Sequence, residues 1–291
     1  MIYGTKELLE QAQRGGYAVG AFNTINVETT RAIIDAALEE QSPVIVQMTE
    51  KTFDYAGGRA IFNYVKNVAE FYAASVPIAI HLDHGKSFEV VERSIEIGFP
   101  SVMYDGSRKS YADNVRTMKK VVELARTKNV SVQGELGSVP YLGEVSMEDV
   151  DWNDYMTDPA QAEDFVRETG IDTLAVAIGN AHGFFRERSV PDFERLSDVA
   201  SRVSLPLVLH GASDWESERV TEVIKRGISC FNVDTAVRLA FIGGLRKILD
   251  SGDETDLRKI LGAARRETKE AVQKKMSMFG SSGKAGMMNV V

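Results

Sequence analysis

Pro77-Ile-Ala-Ile-His81-Leu-Asp83-His84-Gly85 begins as a short apolar run and turns polar at its end. A strand alternates its side chains between two faces, so His81 and Asp83 share one face. Similar endings recur in Asn180-Ala-His182-Gly183 and Leu209-His210-Gly211. All four histidines of the chain therefore lie beside expected strand ends, and three precede a glycine directly. A histidine at a rigid strand end, next to a residue without a side chain, suits a metal ligand.

Seven further apolar runs flank this one: Tyr17–Phe22, Pro43–Met48, Pro100–Tyr104, Val130–Gly134, Thr173–Ile178, Pro206–His210 and Cys230–Val233. Helical patterns separate them over Val27–Glu40, Ala60–Ala74, Glu89–Ile97, Tyr111–Lys128, Pro159–Thr169, Asp192–Val203 and Glu216–Arg226. Strand–helix alternation of this kind implies parallel strands with right-handed crossovers. Eight units predict an α/β fold, a closed (β/α)₈ TIM barrel, and the 291 residues suit one such domain over 1–291. The charged stretch Glu254–Met278 adds a C-terminal helical segment, and the Gly/Ser-rich tail after Phe279 reads as a flexible end. The long acidic stretch 136–158 reads as a mobile active-site loop.

Composition narrows the function. A net charge of −8 argues against a nucleic-acid partner. No apolar run approaches the roughly 20 residues of a membrane span, so no membrane association is expected. The N-terminus runs straight into an amphipathic helical pattern, which predicts no signal peptide. Cys230 is the only cysteine and reads as a small buried hydrophobe in a cytoplasmic protein.

Barrel active sites lie at the C-terminal ends of the strands. Those ends carry Asn23; Gln47 and Thr49; Asp83 and His84; Asp105 and Ser107; Glu135; Asn180 and His182; His210 and Ser213; and Asn232, Asp234 and Thr235. His84, His182 and His210, from three strands, can converge on one ion and leave a position open, as catalytic sites do. His81 reads as support. Asp83 is placed to act as general acid/base beside such an ion. Asp105 and Glu135 suit a second metal position or the orientation of the histidines. Gly183, Gly211, Ser213, Asn232 and Thr235 follow the last three strands, where barrels commonly hold phosphate, with Arg186 and Arg238 nearby.

These residues resemble the class II, metal-dependent ketose-bisphosphate aldolases, including the fructose- and tagatose-bisphosphate enzymes. The resemblance runs from Gly20-Ala-Phe-Asn23 through His81–Gly85, Ser101–Ser107, Gly134–Gly137, Ala181-His-Gly183, Pro206–Ser213 and Asn232–Thr235 to Phe279–Lys284. It implies zinc on His84, His182 and His210, with Asp105 and Glu135 at an alternative buried metal position. Asp83 would be the acid/base at the C4 hydroxyl, and Asn232 would hold the enediolate. Gly183, Gly211, Ser213 and Thr235 would cradle the C1 phosphate, often with a monovalent cation (Na⁺ or K⁺), and Arg186 stands where lysine is usual. Asn23 and Thr49 would border the substrate, while Asp234 and Arg238 would face its C4–C6 end.

The substrate implied is a phosphorylated ketose. Asp234 favours fructose 1,6-bisphosphate over tagatose 1,6-bisphosphate or a phosphorylated keto-acid. Glu144, then Glu148, is the expected loop acid, and a homodimer or homotetramer is implied. Asp214 and Trp215 depart from the family pattern close to the expected phosphate cradle. Two other classes remain open: a barrel metallohydrolase with Asp83 activating water, and a non-catalytic relative that binds sugar phosphates. The absence of an H-x-H pair on the first strand weighs against the former, and the intact Asp83 and histidines against the latter.

Overall fold

The computed structural model describes residues 2–140, 151–181, 191–211 and 213–289. Eight parallel strands form the barrel: β1 (Val19–Asn23), β2 (Val44–Thr49), β3 (Ile78–Gly85), β4 (Ser101–Tyr104), β5 (Ser131–Leu136), β6 (Thr173–Val176), β7 (Leu207–Leu209) and β8 (Ile228–Val233). Each pairs with the next, and β8 closes on β1 with Ala21 opposite Asn232. The expected (β/α)₈ TIM barrel is the observed fold. Ile2–Tyr3 adds a short parallel strand beside the start of β3.

The inward faces explain where the site must lie. Ala21, Ile45, Ala79, Met103, Ala175, Val208 and Cys230, one from nearly every strand, form a single apolar layer. Two residues further along their strands stand Asn23, Gln47, His81, Asp105, His210 and Asn232. Because the strand period is two, these polar groups occupy the same inward face one layer higher. Leu8, Leu9 and Ala12 of helix Thr5–Gly15 join the apolar layer from below and plug the barrel. The upper end alone is left to polar chemistry. Outside, the helices pack on the other strand face through residues such as Val46, Ile80, Leu82, Val102, Leu174 and Phe231.

Helices Val27–Glu40 and Pro159–Thr169 begin and end where the periodicity predicts. Asn26 and Asp158 cap them by accepting from the Thr29 and Gln161 backbone amides. The expected helix over 60–74 begins two residues earlier, at Gly58, and a further short helix, Glu50–Ala56, precedes it. Glu50–Ala56 and Gly58–Asn67 are separated by Gly57 at φ 74, a conformation glycine adopts without strain. A π-helical turn then covers Val68–Tyr72. The C-terminal segment is a pair of helices, Thr235–Leu249 and Leu257–Met278. Among the described residues no helix is long and apolar enough to cross a membrane.

The tail is not a loose end. Phe279 is fully buried and stacks on Phe231 of β8, with ring centroids 4.5 Å apart. Its carbonyl accepts from the Ala18 amide at 3.0 Å, and Ser42 donates to Ser281 at 2.8 Å. The Gly283 and Ala285 amides donate to the carbonyls of Glu40 and Gln41, each at 2.8 Å. Gly280 and Gly283 supply turns at φ 73 and 75, and the serines supply hydrogen bonds, so the composition serves docking rather than flexibility. Phe279→Ala should therefore cost about 3–5 kcal/mol of stability, the usual range for emptying a buried aromatic site. Urea unfolding of the two proteins measures it, and a loss below about 1 kcal/mol would show the tail to be dispensable.

Candidate active site

Asp83 lies at the centre of the polar layer. It is 4% exposed, opposite Thr49 in register, and enclosed by amide donors. Asn23 donates to Oδ2 at 2.8 Å, and Asn232 donates to Oδ1 at 3.2 Å. Gln47, fully buried, donates to Asn23 Oδ1 at 2.7 Å and so fixes which end of that amide faces Asp83. Burial favours the neutral acid. The charges of His84 and His210 and the Asn23 hydrogen bond outweigh it and hold the carboxyl below its ordinary range. Asp83 is thus an anion, ready to take a proton.

His84 is aimed by a backbone irregularity. The register between β3 and β4 shifts between Leu82 and Gly85, and His84 has φ 50. Few residues other than glycine adopt that region, and a bulge at a site re-aims a side chain. Gly85 must follow, because a Cβ there would meet the Met103 carbonyl oxygen at 2.7 Å. Gly211, after His210, has φ 62. Two of the three His-Gly pairs therefore have separate backbone reasons.

Two imidazoles converge. His84 Nε2 and His210 Nδ1 are 3.0 Å apart, with the rings nearly perpendicular. The far nitrogen of each ring is engaged: His84 Nδ1 with Asp105 Oδ2 at 2.7 Å, and His210 Nε2 with Gln133 Oε1 at 3.2 Å. Asp105 Oδ2 can only accept, so His84 Nδ1 carries a proton and Nε2 is the nitrogen turned to His210. Asn232 Nδ2 lies 3.1 Å from His210 Nε2. Two ring nitrogens at this distance need a positive charge between them, a shared proton or a metal ion. Nitrogens on a tetrahedral zinc would stand roughly 3.3 Å apart, by geometry from the usual bond length. The donor set fits a metal ion, and carboxylate or carbonyl oxygens behind the ligating rings are the usual support.

The charges agree. Burial works against a protonated His84, yet Asp83, the bond to Asp105 and the charge of Glu135 raise it to about 9. A positive charge is wanted at this point. Asp83, His84 and His210 form one group able to hold an ion, and His84, Asp105 and Glu135 form another. Asp105 is held far below the carboxylate range: burial opposes this, but His84 and Lys86 prevail. Glu135 is pushed up to about 8, first by burial and then by Asp105.

His81 is buried, hydrogen-bonded through Nδ1 to Ser101 at 2.7 Å, and driven by burial down to about 4. It is a neutral support, as its inward depth predicts. Ser213 is buried, and Thr235 opens helix Thr235–Leu249. Arg238 closes on Asp234 with two contacts, at 3.1 and 3.0 Å. Asp214 acts on the ammonium of Lys275 in the last helix, and Trp215 is buried in the outer core. Asn180 ties the β6 and β7 ends together, accepting from the Ile178 amide at 2.7 Å and donating to the His210 carbonyl at 2.8 Å. Glu144, His182, Gly183 and Arg186 lie outside the described residues.

Sequence reasoning missed the roles of Gln47, Gln133 and Lys86. Alternation in Ser131-Val-Gln133-Gly-Glu135 does place Gln133 on the inward face with Glu135.

A closed barrel whose upper mouth gathers two imidazoles and a shielded carboxylate around a cation position is the frame of a metal-dependent barrel enzyme. Comparison with known proteins identifies which one. The chain belongs to the family described as fructose-bisphosphate aldolase class-II, which matches residues 3–284 and is zinc-dependent. It is similar to "Fructose-bisphosphate aldolase" of Geobacillus stearothermophilus, 42% identical over 98% of this chain and 99% of that one. A second relative, "Fructose-bisphosphate aldolase" of Thermus caldophilus, is 41% identical over 98% and 100%. Among solved structures, the YdjI aldolase from Escherichia coli K12 superposes with a TM-score of 0.87 at 31% identity, covering 98% of this chain and all of that one.

His210→Ala should leave the purified protein with less than a tenth of the zinc it otherwise retains after dialysis, read by elemental analysis. Retention of a full equivalent would remove His210 from the ligand set.

Proposed function

We propose that this chain is a zinc-dependent class II aldolase that reversibly cleaves fructose 1,6-bisphosphate to dihydroxyacetone phosphate and glyceraldehyde 3-phosphate. The observation that carries this reading is the ionised Asp83, held by Asn23 and Asn232 beside the converging His84 and His210. In this reading His84 and His210 hold the ion, together with His182. Bound zinc supplies Lewis acidity that favours negative charge on the ketose oxygens.

The chain's own residues do the rest. Asp83 accepts the C4 hydroxyl proton. The C3–C4 bond breaks, its electron pair passes toward C2, and the aldehyde leaves from C4. Asn232, within reach of both Asp83 and His210, donates its amide to the enediolate that remains. A loop acid, for which Glu144 is the candidate, returns a proton to C3, and stretch 136–158 acts as the active-site loop. Gly211, Ser213 and Thr235, with Gly183 and Arg186, cradle the C1 phosphate, helped by the helix start at Thr235 and by a monovalent cation. Asn23 and Thr49 border the sugar, and the Asp234–Arg238 pair faces the far end of the substrate.

Assembly as a homodimer or homotetramer belongs to the same proposal. Leu239, Ile242 and Leu249 share one face of helix Thr235–Leu249 and are exposed, which supports a protein partner there. The lone buried Cys230 supports a cytoplasmic location.

Incubation with fructose 1,6-bisphosphate and zinc should release triose phosphate, and EDTA should abolish the release. Cleavage of tagatose 1,6-bisphosphate alone would keep the chemistry and move the substrate; no triose phosphate from either would overturn the assignment. Asp83→Ala should lose about 10²–10⁴-fold in kcat, the usual contribution of a general base, while keeping its zinc. Near-normal turnover in that variant would exclude Asp83 from proton transfer.

A further inference from the structure

Behind His84, away from Asp83, lies a second group of oxygens. The ligand atoms of His84, Asp105 and Glu135 lie within 4.8 Å of one another. Asp105 is 7% and Glu135 1% exposed, and Glu135 Oε2 has no hydrogen-bond partner. It stands 3.8 Å from His84 Nδ1. Two carboxyls so placed, one with an unused oxygen, are what a hard or borderline cation seeks.

A cation is already there, and it belongs to the chain. The Lys86 ammonium contacts Asp105 Oδ2, the same oxygen that takes His84 Nδ1. Its charge also acts on Glu135. The Lys86 side chain remains 54% exposed, so the residue reaches the contact from the surface. Asp105 Oδ1 is occupied separately by the Ser107 amide at 3.2 Å and its hydroxyl at 2.6 Å. Asp105 thus has no donor to spare for a metal ion while Lys86 stays.

We propose that Lys86 is a tethered cation that neutralises the inner Asp105–Glu135 pocket, so that metal ions do not settle there and His84 remains available to the outer site. The inference rests on the reading of His84 and His210 as zinc ligands. It makes Lys86 a positioning residue that acts through Asp105.

A plain supporting role has the opposite sign. If Lys86 merely steadied Asp105, and through it His84, its loss would weaken zinc, since removing support behind a ligand commonly costs 10–100-fold in affinity. A tethered cation that competes with metal predicts tightening instead. Competition with a chromophoric chelator measures zinc affinity in the wild type, Lys86→Met and Lys86→Arg. Expected is at least tenfold tighter zinc in Lys86→Met and wild-type affinity in Lys86→Arg. Manganese, which favours oxygen ligands, provides the second readout: by electron paramagnetic resonance the metal-free Lys86→Met protein should also bind Mn²⁺ at least tenfold more tightly. Lys86→Gln serves in the same assays if Lys86→Met fails to fold. Unchanged or weaker zinc, or a gain confined to zinc, would overturn the proposal. A wild type that binds no zinc would instead overturn the site reading beneath it.

Discussion

A carboxylate sealed from water keeps its charge only when donors and cations surround it. Asp83 is such a carboxylate, and the upper half of the barrel is organised around its demand. Asn23 and Asn232 reach it from β1 and β8, Gln47 of β2 fixes the Asn23 amide, and His84 follows it on β3. Four neighbouring strands are therefore tied together by one anion. The seam of the barrel, where β8 meets β1, runs through the two asparagines that hold it. Closure of the sheet and readiness of the base are a single arrangement.

The histidines illustrate a different economy. Each offers one nitrogen inward and commits the other to an oxygen behind it. Asp105 and Gln133 do this with different chemistry, one charged and one neutral. The His84 side is richer in charge than the His210 side, and the pressure for a cation comes from there. Glu135 adds to it from a position that a neutral carboxyl tolerates better than an anion.

Much of this was legible because strands report their faces. Alternation put His81 and Asp83 on one face, and the ends of the apolar runs located Asn23, His210 and Asn232. What stayed hidden has physical causes. Gln133 carries no charge and sits below its strand end, so a search for titratable residues passes over it, and Gln47, though found at its strand end, gave no sign of its bond to Asn23. The bulge at His84 lies in the register between β3 and β4, and the need for glycine at 85 comes from the Met103 carbonyl of the next strand, neither of which a local pattern records. The extra helix after β2, Glu50–Ala56, is too short to show a helical period. The tail misled because glycine and serine look the same in a flexible end and in a tightly docked one. Phe279 was the sign, and an aromatic residue before such a stretch marks an anchor.

The docked tail has a bearing on how the chain is made. Synthesis delivers residues in order, at about 5–20 per second, and early segments begin to fold first. Here the first barrel strand receives its neighbour β8 only after more than two hundred residues have followed it, and Ala18 waits longer still for the carbonyl of Phe279. Until then β1 presents an open edge and the outer face of β8 lacks its aromatic cover. The nascent barrel is thus an incomplete ring for most of its time on the ribosome, and the same residues that lock the finished enzyme decide when that exposure ends.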